Sequence, residues 1–170
     1  MNFSPTADPS GGLSFANEDA LMEVPASLAV AVGDILAVDM DTVNSAYNLS
    51  AIRAVATADF APATDTDTTT FFCVALEAVA SASAVQKIRV RVRGIALAKV
   101  DGSGTPVAAG DKLRPVDAAT TLVKAAVGLS LTTSNYKTVG IALEATTSAS
   151  ALKRVLFNGI EGVGFAHSVA

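Results

Sequence analysis

The chain has no tryptophan, one cysteine and one histidine in 170 residues, and aromatic residues make up only 5% of it. Each shortage excludes something. A lone cysteine, Cys73, forms no intramolecular disulfide, and its apolar surroundings suit a small buried hydrophobe. Metal sites built from Cys/His clusters are excluded by number. The only histidine, His167, lies almost at the C-terminus, where a general base would lack support. Charged residues are sparse at 16%, and the net charge of -4 argues against general nucleic-acid binding. No apolar run reaches the length of a membrane span. The N-terminus lacks the basic region and apolar core of a secretory signal, so synthesis in a cytoplasm and no membrane association are expected.

What is present is small, apolar and repeated. Hydrophobic residues make up 51%, mostly alanine and valine, which favours thin layers over a bulky helical core. "CVALEAVASAS" (Cys73 to Ser83) returns as "GIALEATTSAS" (Gly140 to Ser150), with seven of eleven positions identical and an offset of 67. "SLAVAVGDILAVD" is answered by "TPVAAGDKLRPVD", which aligns Gly33-Asp34 with Gly110-Asp111. "QKIRVRVRG" is answered by "LKRVLFNG", closed by Gly94 and Gly159. An internal repeat of this kind builds two similar structural halves.

The unit has a physical logic. Glycine allows a tight turn, aspartate bonds back to the chain, and the flanking alternation gives strands one buried face. In "KIRVRVRG", Ile88, Val90 and Val92 face one way and Arg89, Arg91 and Arg93 the other. "TVGIALEA" is apolar through Val139, Ile141, Ala142 and Leu143, which suits a strand covered on both sides. Short, frequent strands split by Gly, Pro and Ser turns predict a mainly β protein, a β-sandwich or β-barrel of two similar halves in pseudo-twofold packing. Two stretches are open between helix and strand: "NSAYNLSAIRAVA", with Leu49, Ile52, Val55 and Ala56 at helical spacing, and "VDAATTLVKAAVG", with Asp117 as an N-cap.

The expected organisation is an extended N-terminal arm over 1–24, a core over 25–160 with halves at about 25–95 and 105–160, and a tail over 161–170. The arm carries Phe3, Leu13, Phe15, Leu21 and Met22 in a Pro- and Gly-rich polar context that builds no core of its own. Charge is uneven: residues 1–65 hold nine acids and one base, Arg53, whereas 66–170 hold seven acids and eleven bases. Either two solvated faces differ in sign, or acidic and basic faces of neighbouring subunits meet.

No catalytic set emerges, and neither cofactor nor metal is expected. "DTDT" (Asp65 to Thr68) lacks the glycine and glutamate of a calcium loop. "DGSGT" (Asp101 to Thr105) lacks the lysine of a P-loop and reads as a hairpin turn. Glu77 and Glu144 hold equivalent places; paired carboxylates serve glycosidases, but here each is expected to end a strand facing water or an arginine. The Arg89/Arg91/Arg93 row has no interleaved aromatics, so an acidic protein face is its expected partner.

The Gly-Asp turns, "VALEA", "RGIA", "AAGDKL", "VGIALEA" and "KRVLFNG" together resemble the capsid decoration proteins of tailed bacteriophages, and more narrowly the small DUF2190-type cement proteins. The resemblance spans about residues 25–159 and leaves out the arm. It implies a non-enzymatic virion protein on the outer capsid surface. Its partners would be the major capsid protein, whose neighbouring subunits it bridges and cements, and further copies of itself, a homotrimer being favoured over a dimer. On this reading the contact residues are Phe3, Leu13, Phe15, Leu21, Met22, Arg89, Arg91 and Arg93. The alternative is a phage head fibre, adhesin or tail component that binds a host surface.

Overall fold

A computed structural model describes residues 16–44, 49–55, 71–116, 118–125 and 138–159, with backbone alone for 39–44. All regular structure among the described residues is β-strand, nine strands in number. Their pairings close two rings of five. The first joins β1 (Glu18–Val24), β3 (Leu49–Arg53), β2 (Ile35–Asn44), β4 (Phe71–Ala75) and the first half of β5 (Gln86–Asp101), which pairs back to β1. The second runs from the other half of β5 through β7 (Leu122–Lys124), β6 (Lys112–Pro115), β8 (Gly140–Ala142) and β9 (Ala151–Asn158) back to β5. The mainly β expectation is met in its barrel form. The halves are not two stacked sheets; they are rings with one strand in common.

The sequence repeat is a repeat of pairings. Each ring closes through a parallel contact, Glu23 beside Ala51 in the first and Val100 beside Leu122 in the second. Gly33 donates its N–H to Ala75 at 2.8 Å, and Gly110 donates to Ala142 at 2.7 Å. Asp34 Oδ2 accepts the Ala31 N–H at 2.7 Å, and Asp111 Oδ2 accepts that of Ala108 at 2.8 Å. Both glycines take positive φ, +85° and +92°, a region that disfavours side chains. Val30 and Val79 exchange two backbone bonds, as do Val107 and Thr146.

β5 explains how one strand serves two rings. Its even-numbered residues from Ile88 to Val100 are all buried, so one buried face runs unbroken through most of the 16-residue strand. Gly94 does not close this strand. It sits inside it at φ +112°, where an added Cβ would lie 2.3 Å from Asn17 Oδ1 and 2.9 Å from the Ala16 carbonyl. Gly159 does follow the end of β9.

Two apolar clusters fill the molecule. One lies within the first ring and holds Met22, Val24, Leu36, Val38, Ile52, Cys73, Ile88 and Val90. The other joins second-ring residues such as Ala98, Leu113, Leu122, Val155 and Phe157 to Ile35, Ala37, Phe72 and Val74 from the opposite faces of β2 and β4. β2 and β4 are thus apolar on both sides because the second ring packs against them. β8, the counterpart of β4, is covered on one side only: Ile141 is half-exposed and Leu143 is exposed, against the expectation for "TVGIALEA".

Other expectations also change. Residues 18–24, assigned to the arm, form β1 of the first ring. Both stretches open between helix and strand supply strands, β3 and β7, because their branched side chains lie against the ring interiors. "DGSGT" is a turn, with Asp101 Oδ1 accepting the Ser103 N–H at 2.8 Å, but not a hairpin: β5 pairs with β7 and β9, not with β6. Asp117, residues 1–15, the "DTDT" segment and the 161–170 tail lie outside the described residues.

Candidate functional site

The exterior of the shared strand differs sharply between its halves. On the first half, Arg89, Arg91 and Arg93 point outward, and each meets an acid of its own chain. Arg89 Nε lies 2.8 Å from Glu77, Arg91 forks onto Asp19, and Arg93 is 3.8 Å from Glu18. Arg91 also donates to the Ile95 carbonyl. Part of the contrast between an acidic first part and a basic remainder is therefore resolved inside the molecule, Asp19 and Glu18 of β1 meeting Arg91 and Arg93 of β5.

Glu77 and Glu144 are matching clamps. Glu77 accepts from Arg89 Nε at 2.8 Å and the Arg89 N–H at 3.1 Å; Glu144 accepts from Arg154 Nε at 2.8 Å and its N–H at 3.0 Å. The Arg89 side chain, then its backbone N–H, holds the Glu77 carboxyl below its ordinary range. For Glu144 the order is backbone N–H, then side chain of Arg154. Carboxylates held ionised in this way pin the turns to the strands and are poorly suited to donate a proton. Burial pushes the Cys73 thiol far up, so it lacks the thiolate a nucleophile needs.

On the second half of β5 the exterior gains exposed leucines, set among Lys99 and Arg154. Ile95 and Leu97 point outward, and β9 sets Leu156 opposite Ile95 and Leu152 opposite Lys99. Leu97 is 52% exposed, Leu152 47% and Val32, beside the seam between the rings, 40%. The seam is polar and specific. Lys99 donates its backbone N–H to Gly33 at 2.8 Å, and its Nζ lies 2.6 Å from Asp34 Oδ1. A separate cleft of about 510 Å³ lies between the 101–105 turn and β6–β7, lined by Asp101, Ser103, Thr105, Arg114, Val123 and Lys124 among others. Within it Lys124 is held by Asp111 at 2.8 Å.

The expected contact residues separate. Phe3, Leu13 and Phe15 lie outside the described residues. Leu21 is 46% exposed on the outer face of β1, but Met22 points inward and is buried in the first cluster, so it offers no surface to a partner. Arg89 and Arg93 are exposed and Arg91 is half-buried, and all three are already engaged. The apolar face of Val32, Leu97 and Leu152 was not anticipated. Its signal was available: carrying the alternation of "KIRVRVRG" past Gly94 puts Ile95 and Leu97 outside.

No protein-family model matches the chain, and no curated protein matches it. Among solved structures, it is similar to the crystal structure of the head fiber gp8.5 N base of bacteriophage phi29. The identity is 15%, the TM-score 0.49, and the match covers 82% of this chain and 94% of that one. Likeness at this level assigns no function.

Proposed function

We propose that this chain is a structural protein of a bacteriophage head that decorates the capsid and cements it by bridging neighbouring major capsid subunits, working as a homo-oligomer with a trimer favoured. The observation that carries the reading is the apolar outer face of β5–β9. Leu97 and Leu152, with Val32 beside them, stand about half exposed on a rigid two-ring body whose other outer face is closed by its own ion pairs. Large apolar side chains exposed on one face, with Arg154 and Lys99 between them, suit a place that a partner covers. The resemblance in the Gly-Asp and "ALEA" phrases supplies the class of partner, a phage shell. Cementing is then mass action: a protein that binds the closed shell better than the opened one shifts the balance toward the closed form.

The test is to heat undecorated shells with and without the purified chain. The expected result is a higher disruption temperature with the wild-type chain, and loss of shell occupancy for the variant carrying Leu97→Asp and Leu152→Asp. Leu97→Asp alone, which leaves the packing of Leu152 against the Gly33 turn intact, is the folding control: it is expected to keep its own melting temperature and still to lose occupancy. Shells that melt unchanged and bind no protein would overturn the proposal and move the function to host-surface binding.

A further inference from the structure

The second ring keeps the glutamate–arginine clamp of the first and changes its surroundings. Arg154 holds the place in "LKRVLFNG" that Arg89 holds in "KIRVRVRG". Each gives its backbone N–H and its Nε to one glutamate, Glu144 or Glu77. Each has a leucine opposite it across the sheet, Leu97 for Arg154 and Leu21 for Arg89. The difference lies two places before and after. Around Arg89 stand Lys87 and Arg91, and Arg91 brings Asp19 with it. Around Arg154 stand Leu152 and Leu156. Leu143, whose N–H donates to the Arg154 carbonyl, lies on the β8 side.

Arg154 is therefore a cation framed by four leucines on an open face, with its side chain 62% exposed. Leu97, Leu143 and Leu152 are exposed and Leu156 is half-buried. Glu144, 2.8 Å from Nε, fixes the guanidinium plane, and neither Nη group donates to an acceptor among the described residues. Every described strand has a neighbour on both edges, so a partner meets this face through side chains rather than by adding a strand.

That setting constrains the partner. A surface that covers the leucines also strips water from the Nη hydrogens, and it must supply the acceptor itself, because a covered cation left unmatched is strongly unfavourable. The local charge selects an anion: Glu144 stands against two bases, Arg154 and Lys153, both of which act on its carboxyl. The two Nη groups offer parallel donors at the spacing of a carboxylate. An arginine inside an apolar frame is also the kind of residue on which binding energy concentrates.

We propose that Arg154 anchors the β5–β9 face by binding, through its two Nη groups, the carboxylate of an aspartate or glutamate set between apolar residues on a partner protein. The leucines around it exclude water from that pair. The inference rests on the proposed function only in taking this face as the one a partner covers, and it adds the chemistry of the partner's surface.

The first test needs no shells. A library of random displayed peptides is selected on the immobilised full chain. The binders are expected to carry an acid flanked by apolar residues and to lose affinity by about tenfold or more on Arg154→Gln, the effect of truncating one member of a covered charge pair. Arg154→Lys, which keeps the charge and loses the fork, is expected to fall between. Arg89→Gln makes the same change at the matching clamp and is expected to leave binding unchanged. Thermal melts confirm that each variant is folded. Binders without an acid, equal losses at Arg89 and Arg154, or no binders at all would overturn the inference. The same variants are then added to undecorated shells. Equal occupancy by the wild type and Arg154→Gln overturns this inference and leaves cementing standing. Acidic binders that depend on Arg154, with shells that bind no protein, support it and overturn cementing alone.

Discussion

Gly159 has no room for a side chain. An added Cβ would stand 1.8 Å from the Phe72 carbonyl oxygen and 2.7 Å from its carbon, and Phe72 N–H donates to the Gly159 carbonyl at 3.1 Å. The obstacle is backbone of a buried strand, which cannot swing aside as a flexible side chain does. Gly104, on the 101–105 turn, meets nothing within 4 Å and keeps an ordinary φ. Gly159→Ala is therefore expected to cost about 1–3 kcal/mol, the usual range for overpacking. Gly104→Ala should leave stability unchanged or slightly higher, because it restricts the unfolded chain. Chemical denaturation of the two variants beside the wild type checks this, and equal midpoints would contradict the close approach at Gly159.

At the scale of the element, the Gly-Asp turn occurs twice with different surroundings, and this separates intrinsic from acquired stability. Asp34 is buried: it accepts the Ala31 N–H and holds Lys99 across the seam at 2.6 Å. Asp111 makes the same turn in the open, where Lys124 and the Ala108 N–H hold its carboxyl below the ordinary range. Asp34→Ala leaves a part-buried lysine without its acid and is expected to cost about 2–4 kcal/mol. Asp111→Ala loses a pair whose acid is more accessible than Asp34 and should cost less, with an effect that shrinks in salt. Thermal melts at low and high ionic strength distinguish them.

The turns themselves were legible in the sequence, since glycine and aspartate at matching places have few other uses. So were the glutamate–arginine clamps and the alternation of β5. The joining of the halves was not. Gly94 reads as a stop, because a glycine after a run of alternating residues usually ends a strand; here it lets β5 pass close to Ala16 and Asn17 and continue. β1 was hidden because Glu18, Asp19 and Glu23 make it look like a polar arm, and only the arginines opposite explain Glu18 and Asp19. Apolar residues on both faces of β2 and β4, and on the outer face of β5–β9, look alike as sequence. Only the packing shows that one pair is covered and the other exposed.

At the scale of the whole molecule, the shared strand and the second apolar cluster decide how the chain unfolds. Two rings joined by a loop would melt separately. Here Ile35, Ala37, Phe72 and Val74 belong to the first ring by pairing and to the second ring's cluster by packing. Removing either ring exposes apolar side chains of the other and strips partners from half of β5. The chain is therefore expected to unfold in one cooperative transition, despite its two-part sequence. Val90→Ala, inside the first ring, and Val155→Ala, inside the second, should each lower that single midpoint by creating a cavity, without splitting it. Calorimetry checks both points, with hydrogen exchange reporting each ring. Independent rings would give two heat-absorption peaks, with Val90→Ala moving one and Val155→Ala the other. A single peak shifted by both substitutions would mean that the repeat has become one body, a stiffness that suits a protein whose proposed task is to hold its neighbours at fixed spacing.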